Sequence, residues 1–163
     1  MGFRVAAVDN RAAGRALAAE LPLGADKVVD PSATGSESGT DGPIEDLIAW
    51  AGDGGLAAVV VCTDDLPANQ WALKVVRPRG TVVLIGFPIG GFQFDPMDIV
   101  FKQLVLKGSL LSSVDQARDM VGLVAKHGIR SHVTTFGLDD VPSVLEKYAE
   151  KDMKGRLVMK IES

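Results

Sequence analysis

One cysteine, Cys62, stands alone in 163 residues. An internal disulfide is therefore excluded, and a single thiol fits a reducing compartment. Histidine is almost as scarce, with His127 and His132 the whole supply. A zinc ion needs three or four convergent Cys, His or carboxylate ligands, and Cys62, His127 and His132 follow no ligand spacing. No metal site is expected. Lys and Arg do not cluster and the net charge is −4, which argues against nucleic acid. Apolar runs fall far short of the ~20 residues that a bilayer-crossing helix requires. The opening MGFRVAAVDNR places Asp9 where a secretory leader needs its apolar region. Ala6 occupies the position at which a myristoylation signal needs Ser or Thr. The expectation is a cytoplasmic protein whose partners include neither membrane nor nucleic acid.

What is present is organised around residues 57–88. Two apolar runs, Ala57–Val61 and Thr81–Ile85, show no alternation with polar residues. Strands covered on both faces read this way, as in parallel sheets. A helix over Pro67–Val76, ended by Pro78 and Gly80, joins them into a βαβ unit. Upstream, the pattern predicts a strand over Phe3–Val8, a helix over Asn10–Leu21 and a strand over Asp26–Asp30. Pro31–Pro43 is rich in Ser, Gly and Thr and reads as a mobile loop, followed by a helix over Ile44–Ala51. Downstream come a helix over Met97–Gln103, a strand over Leu104–Leu111 and a helix over Val114–Lys126. The last segments are a strand over His132–Phe136, a helix from Asp139 or Asp140 to Tyr148, and a strand over Gly155–Ile161. Ala117, Met120, Val121 and Val124 recur at helical spacing and are expected in the core, as are Trp50, Trp71 and Tyr148. This alternation predicts one three-layer α/β domain across the chain, with a mostly parallel sheet.

The segments LGADKVVD, ALKVVRPRGTVVLIGFP, LKGSLLSS and GRLVMKI occur in that order. Together they resemble the zinc-type medium-chain alcohol dehydrogenases, in their coenzyme-binding part and C-terminal return. The resemblance implies a Rossmann-like fold, NAD(H) as coenzyme and an oxidoreductase. It sets Asp9 on the adenosine ribose, favouring NAD over NADP. It brings Cys62 and Thr63 near the coenzyme, and Ile85, Gly86 and Phe87 alongside the nicotinamide. Gly108, Ser109 and Leu110 would receive the carboxamide. Val114 stands where the family commonly carries a phosphate-holding Arg. The family's catalytic zinc domain, first strand, Gly-rich turn and first helix have no counterpart among these residues. The fold is thus a truncated Rossmann-like domain. In the strand order 3-2-1-4-5-6 the uncounted strand is central, flanked by Arg4–Val8 and Ala57–Val61. The gap is expected to close by direct pairing of those two strands. Insertion of Arg156–Ile161, or a strand from a second chain, are the alternatives. A homodimer is expected through a sheet edge beyond Leu104–Leu111, with Gly91–Asp95 in the contact.

Several residues keep two readings. Asp9 either binds a ribose or caps the following helix. Cys62 has no basic neighbour in sequence and reads as a buried thiol rather than a nucleophile. Asp64 and Asp65 either supply a general base or cap the next helix. His132 could shuttle a proton, and so could His127, though the latter also fits a helix C-terminus. Gly86 and Gly108 suit close approach of a ligand or tight packing. GDGG at 52–55 precedes a strand and reads as a loop. Three functions follow: a degenerate alcohol dehydrogenase-like oxidoreductase domain, a cofactor-independent isomerase, cyclase or lyase acting on an apolar molecule in the vacated cleft, or a non-catalytic interaction module.

Overall fold

The computed structural model describes residues 2–33 and 42–161. Most of the loop expected over Pro31–Pro43 therefore lies outside the described residues. In chain order the elements are β1 (Ala6–Val8), α1 (Ala12–Glu20), β2 (Lys27–Val29), α2 (Pro43–Ala51), β3 (Leu56–Val61), α3 (Leu66–Val75) and β4 (Val76–Leu84). They continue with α4 (Pro96–Lys102), β5 (Val105–Gly108), α5 (Val114–His127) and β6 (Val133–Phe136). A 3₁₀ turn over Leu138–Ser143 then leads into α6 (Val144–Ala149) and β7 (Arg156–Met159). The order matches the sequence reading, and every strand pairing is parallel. The fold is α/β.

Two compact units divide the chain. One comprises Met1–Ser32 with Ser113–Ser163, the other Ala33–Ser112. The second unit holds the sheet β3-β4-β5 and most of the core. Val61, Ala72, Leu73, Val76 and Val82 are buried together, with Val59, Leu84, Phe94, Ile99 and Leu104 packed around them. These residues come from one face of the sheet, from α3 and α4, and from the segments on either side of α4. On the other face of β3, Ala58 and Val60 are exposed, as the period of two along a strand requires once Val59 and Val61 point inward.

Local chemistry explains the boundaries. Asp65 caps α3, its Oδ2 accepting from Ala68 N–H at 3.0 Å, and Pro67 sits in the first turn where no donor is needed. Asp95 and Pro96 repeat this at α4, with Met97 N–H donating to Asp95 Oδ1 at 2.9 Å. At its other end α3 passes into β4 with no loop between Val75 and Val76. Pro78 and Gly80 were expected to separate helix from strand; instead both lie inside β4. The ladder skips there, pairing Leu56 with Val76 and next Ala58 with Thr81, and Arg79 adopts φ 60°. A bulge is where a strand tolerates a residue without an N–H. The open carbonyls at the end of α3 are taken by Lys102, whose Nζ donates to Leu73 O and Lys74 O at 2.8 Å each and to Val76 O at 3.4 Å. Burial lowers the pKa of this ammonium, and the Asp98 carboxylate partly restores it.

The first unit contains two two-stranded sheets, β1-β2 and β6-β7. Its buried apolar residues among those described are Val29 and Phe136. Met120, Val121 and Tyr148, expected in the core, are 55%, 59% and 67% exposed. Helical spacing gave α5 its apolar stripe correctly, but only Ala117 and Val124 are half-buried, while Met120 and Val121 stay exposed. Among the described residues β3 pairs only with β4, β1 only with β2, and β7 only with β6. Each strand is already held by its own ladder. Arg156 N–H donates to His132 O and Lys160 N–H to Phe136 O, both at 2.9 Å, which fixes β7 where it is.

Candidate site at the carboxyl ends of the strands

Strands β3, β4 and β5 end level. Val61 is in register with Leu84, and Leu84 with Gly108. The segments that follow are therefore brought side by side, at the sheet end where α/β folds hold ligands. Cys62, Thr63 and Asp64 leave β3; Ile85, Gly86 and Phe87 leave β4; Ser109 and Leu110 leave β5. Hydrogen bonds tie the three together. Ile85 and Gly86 N–H donate to Val61 O at 3.0 and 3.1 Å, and Ser109 N–H donates to Leu84 O at 3.0 Å.

The two glycines play different parts. A Cβ on Gly86 would stand 2.5 Å from Thr63 O and 2.6 Å from Thr63 C, so this glycine lets two loops touch. A Cβ on Gly108 would meet nothing within 4 Å, so that position faces open space. Ile85 and Phe87, which follow β4, and Leu110, which follows β5, are 45%, 66% and 81% exposed. These strand-end segments form an exposed apolar shelf. Cys62 is exposed rather than buried. It continues the alternation of Ala58 and Val60, so its side chain shares their uncovered face.

Of the paired acids, Asp65 serves α3 as its cap and also takes Asn69 Nδ2 at 2.8 Å on its backbone oxygen. Asp64 is exposed beside it. Thr63 Oγ1 accepts from Asp65 N–H at 3.2 Å, closing the turn. Two hollows, one of about 350 Å³ beside Val124, Gly128 and Ile129 and one of about 220 Å³ beside Gln70, Lys74 and Asp95, include none of the shelf residues.

Asp9 and His132 belong to the other unit. Asp9 follows β1, and its carboxylate turns back on its own chain. Oδ1 accepts from Arg11 N–H at 2.8 Å and Nε at 3.3 Å, and Oδ2 accepts from Arg11 Nη2 at 3.1 Å. The pair raises the Arg11 pKa, chiefly through the hydrogen bond and then through charge. A Cβ on Gly14 would collide with the Asp9 carboxylate, so α1 needs glycine there. Arg15 completes the cluster, donating from Nη1 to Asp9 O at 2.8 Å and pairing through Nη2 with Asp30 Oδ2 at 2.8 Å. The sequence reading named Asp9 but not Arg11 or Arg15. Their places two and six residues on, one turn of helix apart, were the available signal. The carboxylate bonds Arg11 N–H but no deeper N–H of α1, so the expected cap is met only in part. His132 is exposed, with its backbone oxygen on Arg156, and a Cβ on Gly155 would strike that oxygen. His127 is the last residue of α5.

Residues 1–126 match the family described as Zinc-binding dehydrogenase. The chain belongs to that family. An alcohol dehydrogenase of Rhizobium meliloti (strain 1021) is 26% identical over 159 residues, which is 98% of this chain and 44% of that one. The probable cinnamyl alcohol dehydrogenase 3 of Oryza sativa subsp. japonica is 29% identical over 89 residues, 55% of this chain and 24% of that protein. Among solved structures, the alcohol dehydrogenase of the hyperthermophilic archaeon Aeropyrum pernix superposes with a TM-score of 0.76 at 22% identity, covering 96% of this chain and 42% of that one. A putative zinc-binding dehydrogenase from Sinorhizobium meliloti 1021 bound to NADP gives 0.73 at 26% identity, covering 94% and 44%. This member of the zinc-binding dehydrogenase family thus spans less than half the length of these relatives. Among the described residues no three His, Cys, Asp or Glu side chains converge on a point.

Proposed function

We infer that this chain is the coenzyme half of an alcohol dehydrogenase-like oxidoreductase, and that its shelf receives the nicotinamide end of NAD(H). The observation that carries this is the open space over Gly108, between strand ends in register and an apolar rim. A flat ring needs such a floor. Ile85 and Phe87 would pack on it, Gly108 would let it approach the backbone, and the main chain at Ser109 and Leu110 would meet its amide. NAD(H), when bound, supplies the hydride chemistry. These residues would orient the ring and shed water from one side. The acceptor carbonyl would be the substrate's own, and the group that polarises it would come from polypeptide other than these residues. In this reading the described residues hold the ring, and their share of the affinity rests on it. A cytoplasmic setting accompanies this reading, since exposed Cys62 would stay a thiol there.

The cofactor-independent reading asks for a shielded acid or base in an apolar cavity. Asp65 is engaged at a helix start, Asp64 and His132 are exposed, and neither hollow adjoins them. No observation favours it.

Titration with NADH, followed by nicotinamide fluorescence, tests the inference. Reduced nicotinamide mononucleotide should bind nearly as tightly as NADH, and AMP should compete poorly. Gly108→Val should weaken NADH by about tenfold or more, the loss of ~1.4 kcal/mol, with the circular dichroism unchanged. Equal binding by wild type and Gly108→Val, or competition by AMP alone, would remove the shelf from consideration.

A further inference from the structure

Among the described residues, Asn69 is the one polar residue that is fully buried. It lies on α3, which packs on β3, β4, α2 and α4, all within the second unit. Only one end of its amide is used. Nδ2 donates to Asp65 O at 2.8 Å, while Oδ1 meets no donor among the described residues. A main-chain oxygen can only accept, so the nitrogen is the end that faces Asp65. Asp65 O does not depend on that bond, because it also takes Asn69 N–H at 3.3 Å. Burying an amide with an idle oxygen costs stability, and an apolar side chain of similar size would avoid the cost. Packing and helix formation therefore do not account for asparagine at this position.

What the side chain reaches is the turn that supports the shelf. Asp65 N–H donates to Thr63 Oγ1 at 3.2 Å. Thr63 in turn lies against Gly86, where an added Cβ would stand 2.5 Å from Thr63 O. Gly86 is the residue between Ile85 and Phe87. Buried Asn69 is thus connected through Asp65 and Thr63 to the backbone of the shelf. We propose that Asn69 is a positioning residue for the shelf: it fixes the Thr63–Asp65 turn, and the turn fixes the backbone at Gly86. That this in turn places the nicotinamide rests on the ring-binding reading above; the hold on the turn does not. A buried polar group of this kind secures one geometry at the expense of stability.

Asn69→Leu and Asn69→Ala test this. Both remove the donor; the first keeps the volume of the side chain and the second does not. In both, the amides of Asp65 and Gly86, followed by NMR, should exchange about fivefold faster, the loss of one hydrogen bond, while those of Val82 and Val83 in β4 keep their rates. The urea midpoint of Asn69→Leu should equal or exceed that of the wild type. Reduced nicotinamide mononucleotide should bind both variants about fivefold more weakly. Turn amides unchanged in both variants would overturn the proposal. So would β4 amides that quicken in step with them, or a lowered midpoint in Asn69→Leu, the marks of a residue that merely fills the core. Unaltered ring binding over a loosened turn would overturn it as well. A wild type that does not bind the mononucleotide would end the ring-binding reading instead, and exchange at Asp65 and Gly86 would still decide whether Asn69 holds the turn.

Discussion

At the scale of single residues, the charges at the strand ends of the first unit are more organised than composition suggests. Asp30 takes Ser32 N–H at 2.9 Å and Ser32 Oγ–H at 2.6 Å on the same oxygen, and Arg15 on the other. The Ser32 bonds, side chain first, lower its pKa from 3.8, and the Arg15 charge adds a smaller pull. Its folded pKa is below the unfolded one. Its contribution is therefore complete above the unfolded pKa and is lost as pH falls through the folded value. Urea midpoints measured from pH 5 down to ~2.5 should fall less steeply for Asp30→Asn than for the wild type. Parallel curves would mean that these bonds do not distinguish folded from unfolded chain. Asp30 and Arg15 were visible in the sequence only as ordinary charges. Distances of fifteen residues along the chain carry no local signal, whereas Asp9 beside Arg11 did. The same limit applies to Lys102, whose three acceptors lie 26 to 29 residues away.

At the scale of elements, the sequence was read well wherever a local rule governs. The order of strands and helices follows from apolar period and from Pro, Asp and Gly at the ends, and the seven strands and six helices lie where that reading puts them, apart from the starts of β4 and α6. The start of β4 was missed because the bulge at Pro78 and Arg79 depends on the partner strand, not on its own residues. α5 shows the local rules at full strength. Ser113 Oγ accepts from Gln116 N–H at 3.2 Å, Gln116 Oε1 accepts from Ser113 N–H at 2.9 Å, and Gly128 ends the helix at φ 62°. Because so little of this helix is buried, its stability rests on those ends. Ser113→Ala should destabilise the protein by about 1 kcal/mol, and Ser113→Asp should restore most of that. Amide exchange in the first turn of α5, measured by NMR, would show the fraying directly. No change in either variant would mean that packing, not capping, fixes the helix.

At the scale of the whole molecule, the sequence could name the family but not what covers the apolar surface. Composition counts apolar residues without assigning them neighbours. Phe87, Ile89, Val100 and Phe101 in one unit are 66%, 101%, 68% and 73% exposed, and Val114, Leu145 and Tyr148 in the other are 75%, 79% and 67% exposed. Large contiguous apolar patches mark surfaces that meet something, and relatives more than twice as long show that more polypeptide accompanies this part elsewhere. The native chain should therefore bind an apolar dye such as anilinonaphthalene sulfonate at neutral pH. It should do so while Trp50 and Trp71, both half-buried in the second unit, keep their near-ultraviolet signal. That combination separates exposed native surface from a loosened core, in which the dye binds and the tryptophan signal disappears. Dye binding per chain that falls away as the protein is concentrated would show that these exposed apolar residues meet a second copy.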